Sequence, residues 1–129
     1  QIDFTAAGED VPDLIVWPET ALPYLVEYAQ PVFDVVAKAA RGAPVVIGMQ
    51  RQSDLGYYNS LVVLDGAGQV TQTYDKHHLV PFGEYMPFPS LFRSLGIRAL
   101  AERADAGYRA GPGPRLLDFG PLGRALPLI

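Results

Sequence analysis

Two short, β-rich apolar runs frame one helical run near the start of the chain, and this alternation constrains the fold more than any other feature. Asp13 to Trp17 (Asp-Leu-Ile-Val-Trp) is β-rich, apolar on both faces, and stopped by Pro18. A strand of that kind belongs in a sheet covered on both sides. Pro31 then opens a helical pattern in which Val32, Val35, Val36, Ala39 and Ala40 recur at helical spacing. Gly42 stands where a C-terminal cap glycine is expected. Val45 to Met49 follows directly as a second buried strand. Strand, helix and strand in this order make a βαβ unit and an α/β fold.

The remainder extends that unit. Leu61 to Leu64 and Val70 to Tyr74 flank the turn residues Asp65-Gly66-Ala67-Gly68 and predict a hairpin. From Pro81 to Phe92 the chain is rich in proline and aromatics, as in a long ordered loop, and a second helix is expected from about Leu91 to Ala106, bent near Gly96. Gly111-Pro112-Gly113-Pro114 is a break. Leu116 to Phe119 and Ala125 to Ile129 flank Gly120-Pro121-Leu122-Gly123 as a second hairpin.

With 129 residues the chain suffices for one core, so residues 1–129 read as one domain or part of one. Its net charge of −4 comes with Lys and Arg scattered along the sequence, which argues against nucleic acid as a partner. There is no cysteine, hence no disulfide. No apolar run reaches the roughly 18 residues that span a bilayer. Gln1 in place of Met, and Ile129 inside an apolar run, are expected to be cuts in a longer sequence.

Three residues could carry chemistry: Glu19 after the first strand, Lys76 after the hairpin strand, and Glu84 in the loop beyond. Strand ends in α/β folds open onto the crevice where ligands bind. A carboxylate beside an ammonium is a base with a fixed positive charge next to it, suited to deprotonating a nucleophile and stabilising an oxyanion. Taken singly, each residue is an ordinary surface charge, and a Glu–Lys pair is an ordinary salt bridge worth little. The histidine pair His77-His78 makes a poor metal site, because adjacent residues in an extended segment point to opposite faces and no third ligand lies at useful spacing. No metal is expected.

Trp17-Pro18-Glu19, followed by Tyr74-Asp75-Lys76-His77-His78-Leu79-Val80-Pro81-Phe82-Gly83-Glu84-Tyr85, resembles the nitrilase superfamily and, more narrowly, its apolipoprotein N-acyltransferase branch. The Lys-His-His-Leu-Val-Pro-Phe-Gly-Glu-Tyr run is the specific part, and the resemblance extends from about Asp13 to Ile129. It implies an αββα sandwich, here partial, without its first strand and without the part after the cysteine strand. It also implies a Glu–Lys–Cys triad in which Glu19 is the general base and Lys76 stabilises the tetrahedral intermediate. Glu84 corresponds to a second carboxylate that holds the lysine and the substrate. Asn59 is read as a supporting hydrogen-bonding residue, with strand-edge structure as the equal alternative. The nucleophilic cysteine is expected just after Ile129, so residues 1–129 alone are expected to be inactive.

By the same resemblance the parent protein moves a fatty acyl group from a phospholipid to the N-terminal diacylglyceryl-cysteine of an apolipoprotein, through a cysteine thioester and without a cofactor. Its expected place is the bacterial inner membrane, with this domain facing the periplasm and membrane contact made by parts outside this chain. A soluble C–N hydrolase using the same triad, and a non-catalytic binding module, are the alternatives. The apolar set Phe82, Tyr85, Met86, Phe88, Leu91 and Phe92 either covers the core or forms a lid or membrane-dipping loop that admits acyl chains.

Overall fold

In a computed structural model, residues 1–96 and 107–129 are described. The elements in chain order are α1 (Ile2–Ala6), β1 (Ile15–Val16), α2 (Gln30–Ala40), β2 (Val45–Ser53), β3 (Gly56–Leu64), β4 (Val70–Asp75), α3 (Pro89–Ser94), β5 (Leu117–Asp118) and β6 (Arg124–Ala125). A four-stranded sheet has the order β1-β2-β3-β4, and β5 and β6 form a separate pair. β1 runs parallel to β2 with Ile15 opposite Val45, so α2 is the crossover of the expected βαβ unit. β2–β3 and β3–β4 are antiparallel. The fold is mixed α/β.

The sheet is covered on both faces, as the apolar strands require. On one face Phe33, Val36 and Ala40 of α2 meet Val45, Ile47, Met49, Val62 and Leu64, with Trp17 at the margin. On the other, Val46, Leu61, Val63 and Tyr74 meet Leu117, with Leu14, Phe119 and Ile129 packed against them. Alternation along β2 sends Val45, Ile47 and Met49 one way and Val46 the other. Among the described residues no helix is long and apolar enough to cross a membrane.

Several sequence expectations are corrected. The first strand is only Ile15–Val16, and Val16 is 67% exposed, because β1 lies at the sheet edge and its second apolar face is uncovered. The buried face of α2 is Phe33, Val36, Ala37 and Ala40, while Val35 is exposed. Gly42 (φ 92°) follows the helix as expected, but the left-handed turn begins one residue earlier, at the C-cap Arg41 (φ 54°), whose guanidinium donates to the Glu9 and Asp10 carbonyls at 3.1 and 2.7 Å. That anchoring offsets the strain a side chain suffers there.

β2 and β3 each run nine residues and are joined at Asp54-Leu55, a hairpin the reading missed because Gln50 to Ser53 breaks the apolar pattern. The second hairpin is found but shorter than expected, and β6 stops at Ala125. α3 starts at Pro89 and runs to Ser94, while the expected continuation to Ala106 lies outside the described residues. Unforeseen too was α1, whose buried Thr5 accepts a hydrogen bond from Trp17 Nε1 at 2.9 Å.

Phe33 anchors the α2 face at 1% exposure. Phe33→Ala is expected to cost about 3 to 5 kcal/mol, read as a lower midpoint in urea denaturation. A loss under ~1 kcal/mol would mean the helix face is not the keystone of that core.

Candidate active site

Four polar residues far apart in sequence converge where β1, β3 and β4 meet the loop after β4. Lys76 directly follows β4, and its amide donates to the Asn59 carbonyl at 2.9 Å, continuing the ladder by one residue. Asn59 lies within β3, opposite Gln50. Glu19 sits in the turn after β1, which is clasped to β2 by Trp17 N to Val46 O and Ala21 N to Gly48 O, both 2.8 Å. A Cβ on Gly48 would lie 2.6 Å from the Glu19 Cα and 2.7 Å from the Pro18 carbonyl, so only glycine lets this turn rest on the sheet. Glu84 closes its own loop: its amide donates to Val80 O at 2.8 Å, and its Oε2 accepts the Val80 amide at 2.8 Å.

Lys76 is 7% exposed and Asn59 4%. The Lys76 ammonium lies 3.0 Å from Glu84 and 3.4 Å from Glu19 Oε1. The Asn59 Nδ2 donates to both carboxylates, 2.5 Å to Glu19 and 2.8 Å to Glu84. Its Oδ1 is buried with no hydrogen-bond partner among the described residues. Turning the amide over would aim that oxygen at two carboxylates, so the charges fix its orientation.

Burial works to lower the Lys76 pKa, but the hydrogen bond and charge of Glu84, with Glu19 behind them, raise it above the ordinary lysine value. For Glu84 burial works upward, and the Val80 amide, the Asn59 amide and Lys76 together hold it below the ordinary glutamate value. Both groups are therefore charged at neutral pH. Glu19 is the open member, its side chain 48% exposed, the arrangement a base needs to meet a reactant.

A second polar network was not foreseen. Asp75, the residue before Lys76, accepts two bonds from Arg51 (Nε 3.0 Å, Nη2 2.7 Å) and one from Ser60 Oγ at 2.6 Å. The Arg51 guanidinium also stacks on the Tyr58 ring, 4.7 Å from its centroid. Arg51 and Asp75 stand 24 residues apart, and nothing in the sequence pairs them; only the Asp-Lys alternation at a strand end hints that neighbours face opposite ways.

Also missed was a strap formed by residues 107–111. Tyr108 N donates to Glu84 O (2.8 Å), Arg109 N to Tyr57 O (2.7 Å) and Gly111 N to Lys76 O (2.9 Å). A side chain at Gly111 would collide with the Asp75 carbonyl. His77 Nδ1 shares a 2.8 Å hydrogen bond with the Tyr74 hydroxyl. Among the described residues no group of three His, Asp or Glu could hold a metal ion.

The family model for carbon-nitrogen hydrolase matches residues 5–125. The apolipoprotein N-acyltransferase of Brucella suis is 39% identical over 113 residues, covering 82% of this chain and 21% of that protein. The enzyme of the same name from Rhizobium rhizogenes is 39% identical over 129 residues, covering 95% of this chain and 24% of its own length. The chain thus spans only about a fifth to a quarter of these relatives. Among solved structures, a nitrilase-superfamily amidase from Nesterenkonia AN1 matches with a TM-score of 0.57 at 19% identity, over 90% of this chain and 43% of that one. An N-terminal amidase matches with a TM-score of 0.52 at 18% identity, over 91% and 30%. At such identity the structures speak for the fold alone: a partial nitrilase-like α/β arrangement.

Asn59→Ala removes two donors to charged acceptors and is expected to destabilise the chain by about 2 kcal/mol at neutral pH. Because the folded pKa of Glu84 is depressed, its contribution to stability is present above the unfolded value and is lost as pH falls through the folded one. The variant should raise the Glu84 midpoint, followed by carboxyl carbon NMR, and its deficit should shrink on the acid side. A Glu84 midpoint that does not move would show that Asn59 is not among its determinants.

Proposed function

The chain belongs to the carbon-nitrogen hydrolase family, and from that premise we propose that it is the part of an apolipoprotein N-acyltransferase that carries the general base and the oxyanion-stabilising lysine. The observation that carries this reading is the buried Lys76 ammonium held between Glu19 and Glu84, with Glu19 open to a reactant. The 37–40% identity to acyltransferases over most of the chain narrows the reaction class.

In the proposed reaction Glu19 takes the proton of a cysteine thiol, and the thiolate attacks the carbonyl of a phospholipid acyl ester. Lys76 stabilises the oxyanion, and the lysophospholipid leaves with the proton that Glu19 returns. The thioester is then attacked by the free α-amine of a diacylglyceryl-cysteine at an apolipoprotein N-terminus, which yields the N-acylated product and regenerates the thiol. Glu84 and Asn59 are positioning residues: they fix the ammonium and the base. The 129 residues contain no cysteine, so in this reading the thiol comes from sequence outside them. The αββα sandwich, the inner-membrane setting and the periplasmic orientation belong to the same proposal.

A full-length protein containing these residues should gain the mass of one acyl chain on a cysteine when incubated with phosphatidylethanolamine. Glu19→Ala should abolish the adduct. Release of free fatty acid without transfer to an amine acceptor would favour the hydrolase instead.

The apolar loop fits a membrane-facing lid. Phe82 is 67% and Phe88 71% exposed, with Val80, Leu91 and Leu95 exposed nearby, whereas Met86 is buried; the side chain of Phe92 falls outside the described set. Replacing Phe82 and Phe88 by Ser should weaken association of the full-length catalytic domain with liposomes by about tenfold or more, given ~1.5 kcal/mol or more per buried aromatic. Unchanged partitioning in a flotation assay would remove the lid.

A further inference from the structure

Beside the charged cluster lies a cleft of about 350 Å³ whose wall includes four aromatic side chains. Tyr57, Phe82, Tyr85 and Tyr108 line it, with Gln50 and Glu84 among the other residues of the wall. Among the described residues no lysine or arginine lines it. Tyr57, Phe82 and Tyr85 are 43%, 67% and 38% exposed, so their rings are available to a ligand. Tyr108 is held differently: its phenol oxygen accepts from Gln50 Nε2 at 2.6 Å, and its amide is bonded to the Glu84 carbonyl.

Charge adds to shape. Glu19 and Glu84 outnumber Lys76, which leaves one net negative charge in the cluster. That field reaches the cleft: burial first, then the charges of Glu84 and Glu19, raise the Tyr108 phenol above its ordinary value. Ring faces attract cations through their quadrupole, and a net negative cluster beside them strengthens that attraction.

We propose that this aromatic cleft binds a primary ammonium group. A larger cleft of about 580 Å³ shares the walls formed by Tyr85 and Tyr108, but it is lined by Arg109, whose charge repels an ammonium. The cation therefore belongs in the smaller one. The identity of the amine rests on the acyltransferase reading, which supplies two sources of the same chemistry: the ethanolamine headgroup of the acyl donor and the free α-amine of the acceptor.

The test is an amide-resolved NMR titration of the 129-residue chain. One arm adds glycerophosphoethanolamine, with glycerophosphoglycerol as its amine-free match. The other adds a short serine-rich peptide amide with a free N-terminus, with the N-acetylated peptide as its match. At least one amine should shift the backbone amides of Tyr57, Tyr85 and Tyr108 while its match does not, and the arm that responds assigns the source. Tyr57→Leu and Tyr85→Leu should each weaken binding about fivefold, the order of one lost cation–π contact. Both sites are partly exposed, so a fault in the folding of one variant leaves the other to report. Equal shifts from amine and match, no shifts at all, or leucine variants that bind like the parent would overturn the proposal. Because the titration needs no thiol, failure here alongside an acyl adduct on the full-length protein removes the ammonium site and leaves acyl transfer standing. Binding without any adduct does the reverse.

Discussion

One positive charge taken almost wholly out of water organises this structure. Moving an ammonium into a protein interior costs several kcal/mol unless it is paired and hydrogen-bonded. Lys76 is stable in its charged form because two carboxylates reach it, one from the turn after β1 and one from the loop after β4. Those carboxylates would repel each other across so short a distance if the ammonium and the Asn59 amide did not lie between them. Four elements are thereby tied to a single point, and none of the four polar residues is at ease without the other three.

The architecture around that point is what the chain would form on hydrophobic grounds alone. A sheet apolar on both faces needs two covers, and α2 supplies one while the segment around Leu117 supplies the other. Where β1 and β4 end, the polar cluster, the strap 107–111 and the aromatic cleft are gathered. The core thus decides where polar chemistry is permitted, and the ion cluster occupies the place that remains.

What could be read in the sequence follows from the range of each signal. Local periodicity found the βαβ unit and the hairpin around Asp65, because apolar alternation and turn residues are neighbours in the chain. It failed on β2 beyond Met49, where ladder hydrogen bonds continue through polar side chains that carry no period-two signal. Glu19, Lys76 and Glu84 were nominated from their positions at strand ends and from resemblance, and the fold brings them within hydrogen-bonding distance. Asn59 bridges the two carboxylates, a role that type alone left balanced against strand-edge structure. Arg51–Asp75 and the strap were invisible, since pairs separated by 24 or more residues leave no local trace without the topology.

Two of the residues that shape the cluster contribute no side-chain atoms to it. Gly48 lets the Glu19 turn lie flat on β2, and Gly111 lets the strap press against the peptide between Asp75 and Lys76. A designer who grafted glutamate, asparagine, lysine and glutamate onto another sheet of the same curvature would copy every polar side chain of the cluster and still miss the geometry. The blueprint of this site is written partly in empty space: two absent methyl groups set how closely four stretches of backbone can approach in pairs, and that closeness fixes where the charges meet.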